Sequence, residues 1–465
     1  MVTDKLDTPT LNNTTHASES GNESESVGKL EVFGYGVGNF GYVLSWGLII
    51  AFLSYFYTDI IGISAGLVGI LLLVARVWDG VSDVIMGLII DRTNSKHGKA
   101  RPYVLWLCIP FSLSVILLFT VPNLSLNGKF TYALITYSFF ILMYTAISIP
   151  MKTLLGQMTQ DKSSRTALGL SLSIAFTVGT LVVKASAEPV ASSIGGQLGW
   201  VVVAGIIAVL ASICLMTTFK LTTERVKESP KTKERKHNLK EELKSLSKNK
   251  YWIIIVSYGF LYYMMLGMQG AEVYYAKYMF GSASYFSLFT LAKTIPGIAL
   301  LAILSPFAKR LNKKNLAILG AALIIVSGFV KMVDPASLNY FLIGTACLGL
   351  AQTFIATVVY TMVNDTVDYG EWSTGIRTPG LANSSMSFGM KVGSGISGAI
   401  MGGLLSFVGY IGTRATQPEN VNQMIIFLNM HYHIILGVVM LVIILFYGLE
   451  KRYPQIIKDL EKSNA

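Results

Sequence analysis

Three ionisable side chains, Arg76, Asp79 and Asp83, stand inside an otherwise apolar run at 66–90, GLVGILLLVARVWDGVSDVIMGLII. Spacings of three and four residues put all three on one face of a helix. The two carboxylates lie one turn apart, about 6 Å along the axis. Carboxylates that close in a low dielectric resist ionising together, so the pair suits a proton or a small metal cation. A hard cation such as sodium wants oxygen ligands, and Ser82 and Thr145 supply hydroxyls if the run 130–153 packs alongside. Arg76 is the local counter-charge, and a structural Arg–Asp pair is the plainer alternative to an ion site. Insertion scales put each Arg or Asp at a helix centre at roughly 2.5–3.5 kcal/mol. The stripe must therefore face protein, water or an ion, not lipid.

The elements that position these groups are spanning helices. Of 465 residues, 52% are hydrophobic and 14% charged, against about a quarter charged in soluble domains. Apolar residues come in runs of about 20, the length that crosses a bilayer core. Twelve are expected: 33–57, 66–90, 102–121, 130–153, 167–189, 199–219, 251–272, 283–307, 315–333, 339–363, 381–411 and 425–449. The run 381–411 is long enough to contain a break. The fold class is an all-α polytopic membrane protein, twelve transmembrane helices in two six-helix bundles. The expected organisation is a disordered cytoplasmic tail at 1–32, a first bundle at 33–219, a charged cytoplasmic linker at 220–250, a second bundle at 251–450 and a cytoplasmic tail at 451–465.

Charge placement sets the expected orientation. Of 37 basic residues, 28 fall on the side of the termini and four (Lys129, Lys277, Lys331, Arg414) on the other. By the positive-inside rule both termini are cytoplasmic, in the plasma membrane. The net charge of +11 then reflects topology, and no nucleic-acid partner is expected. Cys108, Cys214 and Cys347 sit in apolar runs and suggest neither a disulfide framework nor a metal site. Five histidines without His-rich boxes argue against an intramembrane enzyme, and His431 and His433 are a poor metal pair.

The two halves echo each other. LVARVWDG at 73–80 matches TLAKTIPG at 290–297, setting Arg76 beside Lys293, and RTALG at 165–169 matches RTPGL at 377–381. This is the parallel six-plus-six repeat of major-facilitator transporters. Asp79 is replaced by Pro296 in the second half and Asp83 has no counterpart, so an ion site is expected in the first half.

The stretches YTDIIGISAGLVGILLLVARVWDGVSD, GKARPY, IPMKTLLGQMTQDKSSR and NDTVDYGEWSTGIR, in this order, resemble the signatures of the glycoside–pentoside–hexuronide:cation symporters. The similarity runs from about Lys29 to Glu450. It implies the major-facilitator fold, Asp79 and Asp83 as cation-site carboxylates with Thr145 as a further ligand, and Lys391 as the basic residue of the eleventh helix near both sites. It also implies a gating cluster of Asp365, Asp368, Glu371 and Arg377, with Arg76 beside the acids; a solvated loop is the alternative for the cluster. Where the melibiose carrier of that family has an Asn cation ligand, this chain has Ser82. Val43 and Ser148 replace its sugar-binding acids, and Lys152 replaces its sugar-stacking tryptophan. A more positive pocket suits a hexuronide, the alternative being that Lys152 snorkels to the headgroups.

Tyr35, Asn39 and Tyr42 are further sugar-binding candidates, with core packing the alternative for each tyrosine. Lys184 and Glu188 are spaced to pair at i,i+4 near the outer end of their helix. The expected function is cation-coupled symport of a glycoside, pentoside or hexuronide by alternating access. A carrier of another amphipathic solute, a lysolipid or a drug, is the alternative. No cofactor is expected beyond a coupling sodium ion or proton. The expected partners are a small sugar and the lipid bilayer, with a monomer as the working unit.

Overall fold

The computed structural model describes residues 27–93, 95–226, 239–304 and 312–464. Residues 1–26 of the disordered tail expected for 1–32, the middle of the charged linker (227–238) and the loop cations Lys309 and Arg310 lie outside the described residues, and the last four residues of that tail belong to the first helix.

All regular elements among the described residues are helical. The first bundle comprises α1 (Lys29–Tyr55, extended by a π turn at Phe56–Ile60), α2 (Ala65–Arg92), α3 (Arg101–Phe119), α4 (Leu126–Met158), α5 (Lys162–Ile194) and α6 (Gly196–Leu221). A short helix, α7 (Leu239–Lys248), precedes the second bundle. There α8 (Lys250–Gly267), a 3-10 turn at Met268–Gly270 and α9 (Ala271–Phe280) make one crossing. It is followed by α10 (Tyr285–Leu304), α11 (Lys313–Val333), α12 (Leu338–Thr374) and α13 (Pro379–Phe407). The last crossing is α14 (Glu419–Asn429) with α15 (His431–Leu445), and α16 (Tyr453–Asn464) ends the chain.

Eleven of these stretches are long and apolar enough to cross a membrane. The twelfth, α13, has the length, 29 residues, but dilutes its apolar content with the Gly and Ser that it packs through. Its helix is unbroken, whereas the final crossing breaks at Met430 and the seventh runs on to Phe280. Lys331, counted from sequence among the cations of the side opposite the termini, lies within α11 and is buried.

Polar residues at the helix starts explain the boundaries. Asp161 accepts from Ser164 N at 2.7 Å, Asn249 from Trp252 N at 3.1 Å and Asn312 from Asn315 N at 2.9 Å, satisfying amides that the first turn leaves free. Two distant carboxylates do the same work and display the repeat. Glu224, just past α6, accepts from Lys99 N, Ala100 N and Arg101 N at 2.8, 2.8 and 2.9 Å at the start of α3. Glu450, just past α15, accepts from Lys313 N and Lys314 N at 2.7 and 3.0 Å at the start of α11. Third and sixth crossings are thus tied the same way in each bundle, with an anion on the positive end of a helix dipole.

The bundles are sealed together at the end away from the termini. There α2 lies against α13: a Cβ on Gly402 would sit 2.3 Å from Ala65 O and 2.8 Å from Gly69 Cα. Only glycine permits that approach. Beside it, Asp59 receives Lys277 Nζ at 2.5 Å, Tyr410 OH at 2.5 Å and Tyr278 OH at 2.9 Å. Toward the termini the bundles part. Gly80 and Gly87 share the α2 stripe of Asp83, and a Cβ on either would meet nothing within 4 Å. The same holds for Gly156 on α4, Gly169 on α5 and Gly389 on α13. The molecule is open on the side of its termini and closed on the other.

Candidate functional site

The acids of α2 sit where the two bundles meet. Asp79 is buried and Asp83 keeps 30% of its side chain exposed. Thr145 Oγ1, brought up by α4, is 3.4 Å from Asp79 Oδ1 and 3.2 Å from Asp83 Oδ1. Ser82 Oγ donates to Asp79 O at 3.0 Å and lies 3.2 Å from Thr145 Oγ1. Trp78 Nε1, bonded to Ser138 O at 3.1 Å, holds α2 against α4 in this register. The hydroxyls and carboxylates foreseen from the spacing are therefore side by side.

Their counter-charges come from both halves. Lys391 of α13 bridges Asp79 Oδ1 at 3.1 Å and also pairs with Asp83 Oδ2. Arg76 is 3.7 Å from Asp79 Oδ2 and lies over the Trp46 ring at 4.7 Å. Two acids meet two bases, so the cluster is neutral as it stands. One base is of the same helix as the acids; the other belongs to the opposite bundle and leaves whenever the bundles separate here.

A cavity of ≈ 580 Å³ opens beside this cluster, within the range of small-molecule sites. Arg76, Asp79, Asp83, Ser148, Lys152 and Lys391 line it. Residues that the sequence reading did not assign to a pocket line it too. Trp46 and Tyr144 form a stacked pair, centroids 4.6 Å apart at 21°. Lys184 of α5 donates to Gln269 Oε1 in the 3-10 turn of the seventh crossing at 2.5 Å. Lys184 reaches across to the other bundle instead of pairing with Glu188 as its spacing suggested. A lysine and a glutamine inside apolar runs were the available signal; an aromatic pair looks the same in a core as in a pocket.

Other candidates are placed elsewhere. Tyr35, Asn39 and Tyr42 are buried off the cavity. Tyr35 OH donates to Met151 O at 3.1 Å, Asn39 Nδ2 to Tyr35 O at 2.8 Å, and Tyr42 OH to Asn39 Oδ1 at 3.1 Å. These groups satisfy one another as the polar lining of a helix contact, which corrects their reading as sugar ligands. Asp365, Asp368, Glu371 and Arg377 stay within the second bundle. Lys313 pairs with Asp365 at 2.6 Å, and Arg377 with Asp368 at 2.9 Å and with Glu371. Tyr453 OH of α16 donates to Asp368 at 2.6 Å. In this open conformation the cluster fastens α16 to α12 and, among the described residues, does not join the bundles.

Comparison with known proteins agrees with this architecture. The family model described as MFS/sugar transport protein matches residues 34–451. The isoprimeverose transporter of Lactiplantibacillus pentosus is 36% identical over 451 residues, 94% of this chain and 92% of that protein. The inner membrane symporter YicJ of Escherichia coli is 32% identical, covering 87% and 88% of the two chains. Among solved structures, the nucleoside transporter NupG aligns with a TM-score of 0.62 at 13% identity over 90% of this chain and 99% of that one, a likeness of fold alone. The chain is a member of the MFS/sugar transport family, in the glycoside–pentoside–hexuronide:cation symporter group of major-facilitator transporters, and is a carrier, not an enzyme.

Proposed function

We propose that this chain couples inward movement of a small glycoside, pentoside or hexuronide to a cation. The cation takes the place that the Lys391 ammonium holds between Asp79 and Asp83, with Thr145 and Ser82 completing an oxygen shell. The single observation that carries the reading is the sharing of one lysine, contributed by the opposite bundle, between two acids one turn apart. A cation that displaces Lys391 loosens a tie between bundles, so binding and rearrangement are energetically coupled, and sugar and cation must raise each other's affinity equally. Trp46 and Tyr144 offer the sugar an aromatic face, and Ser148, Lys152, Lys184 and Gln269 offer hydrogen-bonding groups. Rocking of the bundles then exposes the cavity alternately. The excess of basic residues on the side of the termini supports a cytoplasmic placement of both, which makes the open side the inner one. A single copy contains the whole cavity, which supports a monomeric transport unit.

The test is uptake by proteoliposomes of labelled isoprimeverose, a methyl pentoside and a hexuronide, under sodium or proton gradients. Accumulation of at least one sugar under one gradient is expected. In Asp83→Asn, accumulation is expected to vanish while downhill sugar exchange persists. Accumulation undiminished by that substitution refutes the assignment.

A further inference from the structure

The second bundle encloses charges that the cation site does not use. Glu272 of α9 is 2% exposed and receives Lys293 Nζ of α10 on Oε1 at 2.5 Å. Lys331 of α11 is 1% exposed and His433 of α15 is also buried. Lys293, Lys331 and His433 all act electrostatically on the Glu272 carboxylate. Yet Glu272 Oε2, Lys331 Nζ and Asn429 Oδ1 are buried without hydrogen-bond partners among the described residues.

The surroundings are shaped for Lys331. Its Nζ lies 4.5 Å from the centre of the Phe341 ring, and a Cβ on Gly344 would come 2.5 Å from its Cγ. From the neighbouring elements, Glu272, Lys293 and Cys347 act on it, and His433, whose Nδ1 is 2.9 Å from Asn429 O, is close enough to feel it. Lys184 approaches from α5 beside Lys293. Its partner Gln269 lines the cavity three residues before Glu272 on the same crossing.

The charge count does not close. One carboxylate faces two ammonium groups, and an enclosed ammonium with no acceptor is strongly unfavourable. Release of one proton from Lys331 removes the imbalance. We propose that Glu272, Lys293, Lys331 and His433 form a second proton-exchanging centre, with Lys331 as the exchanging group. Lys331 takes up a proton when the seventh crossing moves at its Met268–Gly270 turn and gives that proton back to water at the cavity end near Gln269. The link to transport rests on the carrier reading above; the protonation state does not.

Two measurements separate these parts. Equilibrium unfolding of the full chain in mixed detergent micelles, from pH 6 to 9, needs no substrate. If folded Lys331 lacks a proton that the unfolded chain binds, stability rises with pH. At the alkaline end of that range the parent is expected to gain up to about tenfold per pH unit in its folded-to-unfolded ratio relative to Lys331→Met. Parallel curves overturn the proposal. Should Lys331→Met not fold, Glu272→Gln strips Lys293 of its carboxylate and is expected to steepen the dependence of the parent; an unchanged slope counts against the centre. For transport, counterflow of labelled isoprimeverose in proteoliposomes is expected to lose one limb of its pH profile in Lys331→Met. An identical profile refutes the coupling to transport, and failure of the parent to move any sugar refutes the carrier reading while leaving the unfolding result to stand alone.

Discussion

The seal between α2 and α13 makes a sharp prediction about conformation. In this conformation, open on the side of the termini, a methyl on Gly402 would sit 2.3 Å from Ala65 O and 2.8 Å from Gly69 Cα. Ordinary carbon–oxygen contact is above 3 Å, so Gly402→Ala must push α2 and α13 apart by about 1 Å at their crossing. Overpacking of this kind costs typically about 1–3 kcal/mol. The cost falls only on the state in which these helices touch, because alternating access parts them in the other. An energy of that size changes a two-state ratio by about 5–150-fold. The assay is labelling from the side away from the termini by an impermeant maleimide at Ile50→Cys, a cavity residue, with Cys108, Cys214 and Cys347 replaced by Ser. Gly402→Ala is expected to raise the labelling rate within that range. Gly403→Ala is the control, since a Cβ there meets nothing within 4 Å and should leave the rate unchanged. Equal rates for the two variants would mean that the glycine contact does not hold that side shut.

Two further outcomes follow from the geometry. Glu224→Ala removes three hydrogen bonds from the start of α3 and Glu450→Ala two from the start of α11; loss of a cap costs about 0.5–2 kcal/mol, so each should unfold at lower denaturant, Glu224→Ala the more so, and midpoints equal to the parent would deny the carboxylates their capping role. Lys391→Met leaves Asp79 and Asp83 without the ammonium that now bridges them. The half-saturating concentration of the coupling cation for thermal protection should fall on the order of tenfold, about 1.4 kcal/mol, and a value at or above that of the parent would show that lysine and cation do not compete.

Glu224 and Glu450 illustrate what short-range pattern leaves hidden. Each acts on a helix start more than a hundred residues away, and nothing in the local sequence of either points there. The matching of Arg76 with Lys293 did disclose the repeat, but the partners of those two residues are unlike. Arg76 answers Asp79 on its own helix, and Lys293 answers Glu272 on the crossing before it. Tyr35, Asn39 and Tyr42 show the opposite failure. Their types suit a sugar, yet their helix turns them into the contact between α1 and α4.

From sequence alone came the membrane class, the twelve crossings, the six-plus-six repeat, the family resemblance and the acidic stripe of Asp79 and Asp83. Each of those depends on run length, helical period or local motif, which the chain states residue by residue. Tertiary structure decided how Lys391 is shared between the acids, which polar residues reach the cavity and which side of the molecule is sealed. It also exposed the enclosed cluster around Lys331. These depend on how one helix is rotated against others far along the chain, and that rotation is set by the summed packing of both bundles, with glycines such as Gly69, Gly344 and Gly402 marking where the close approaches had to fall.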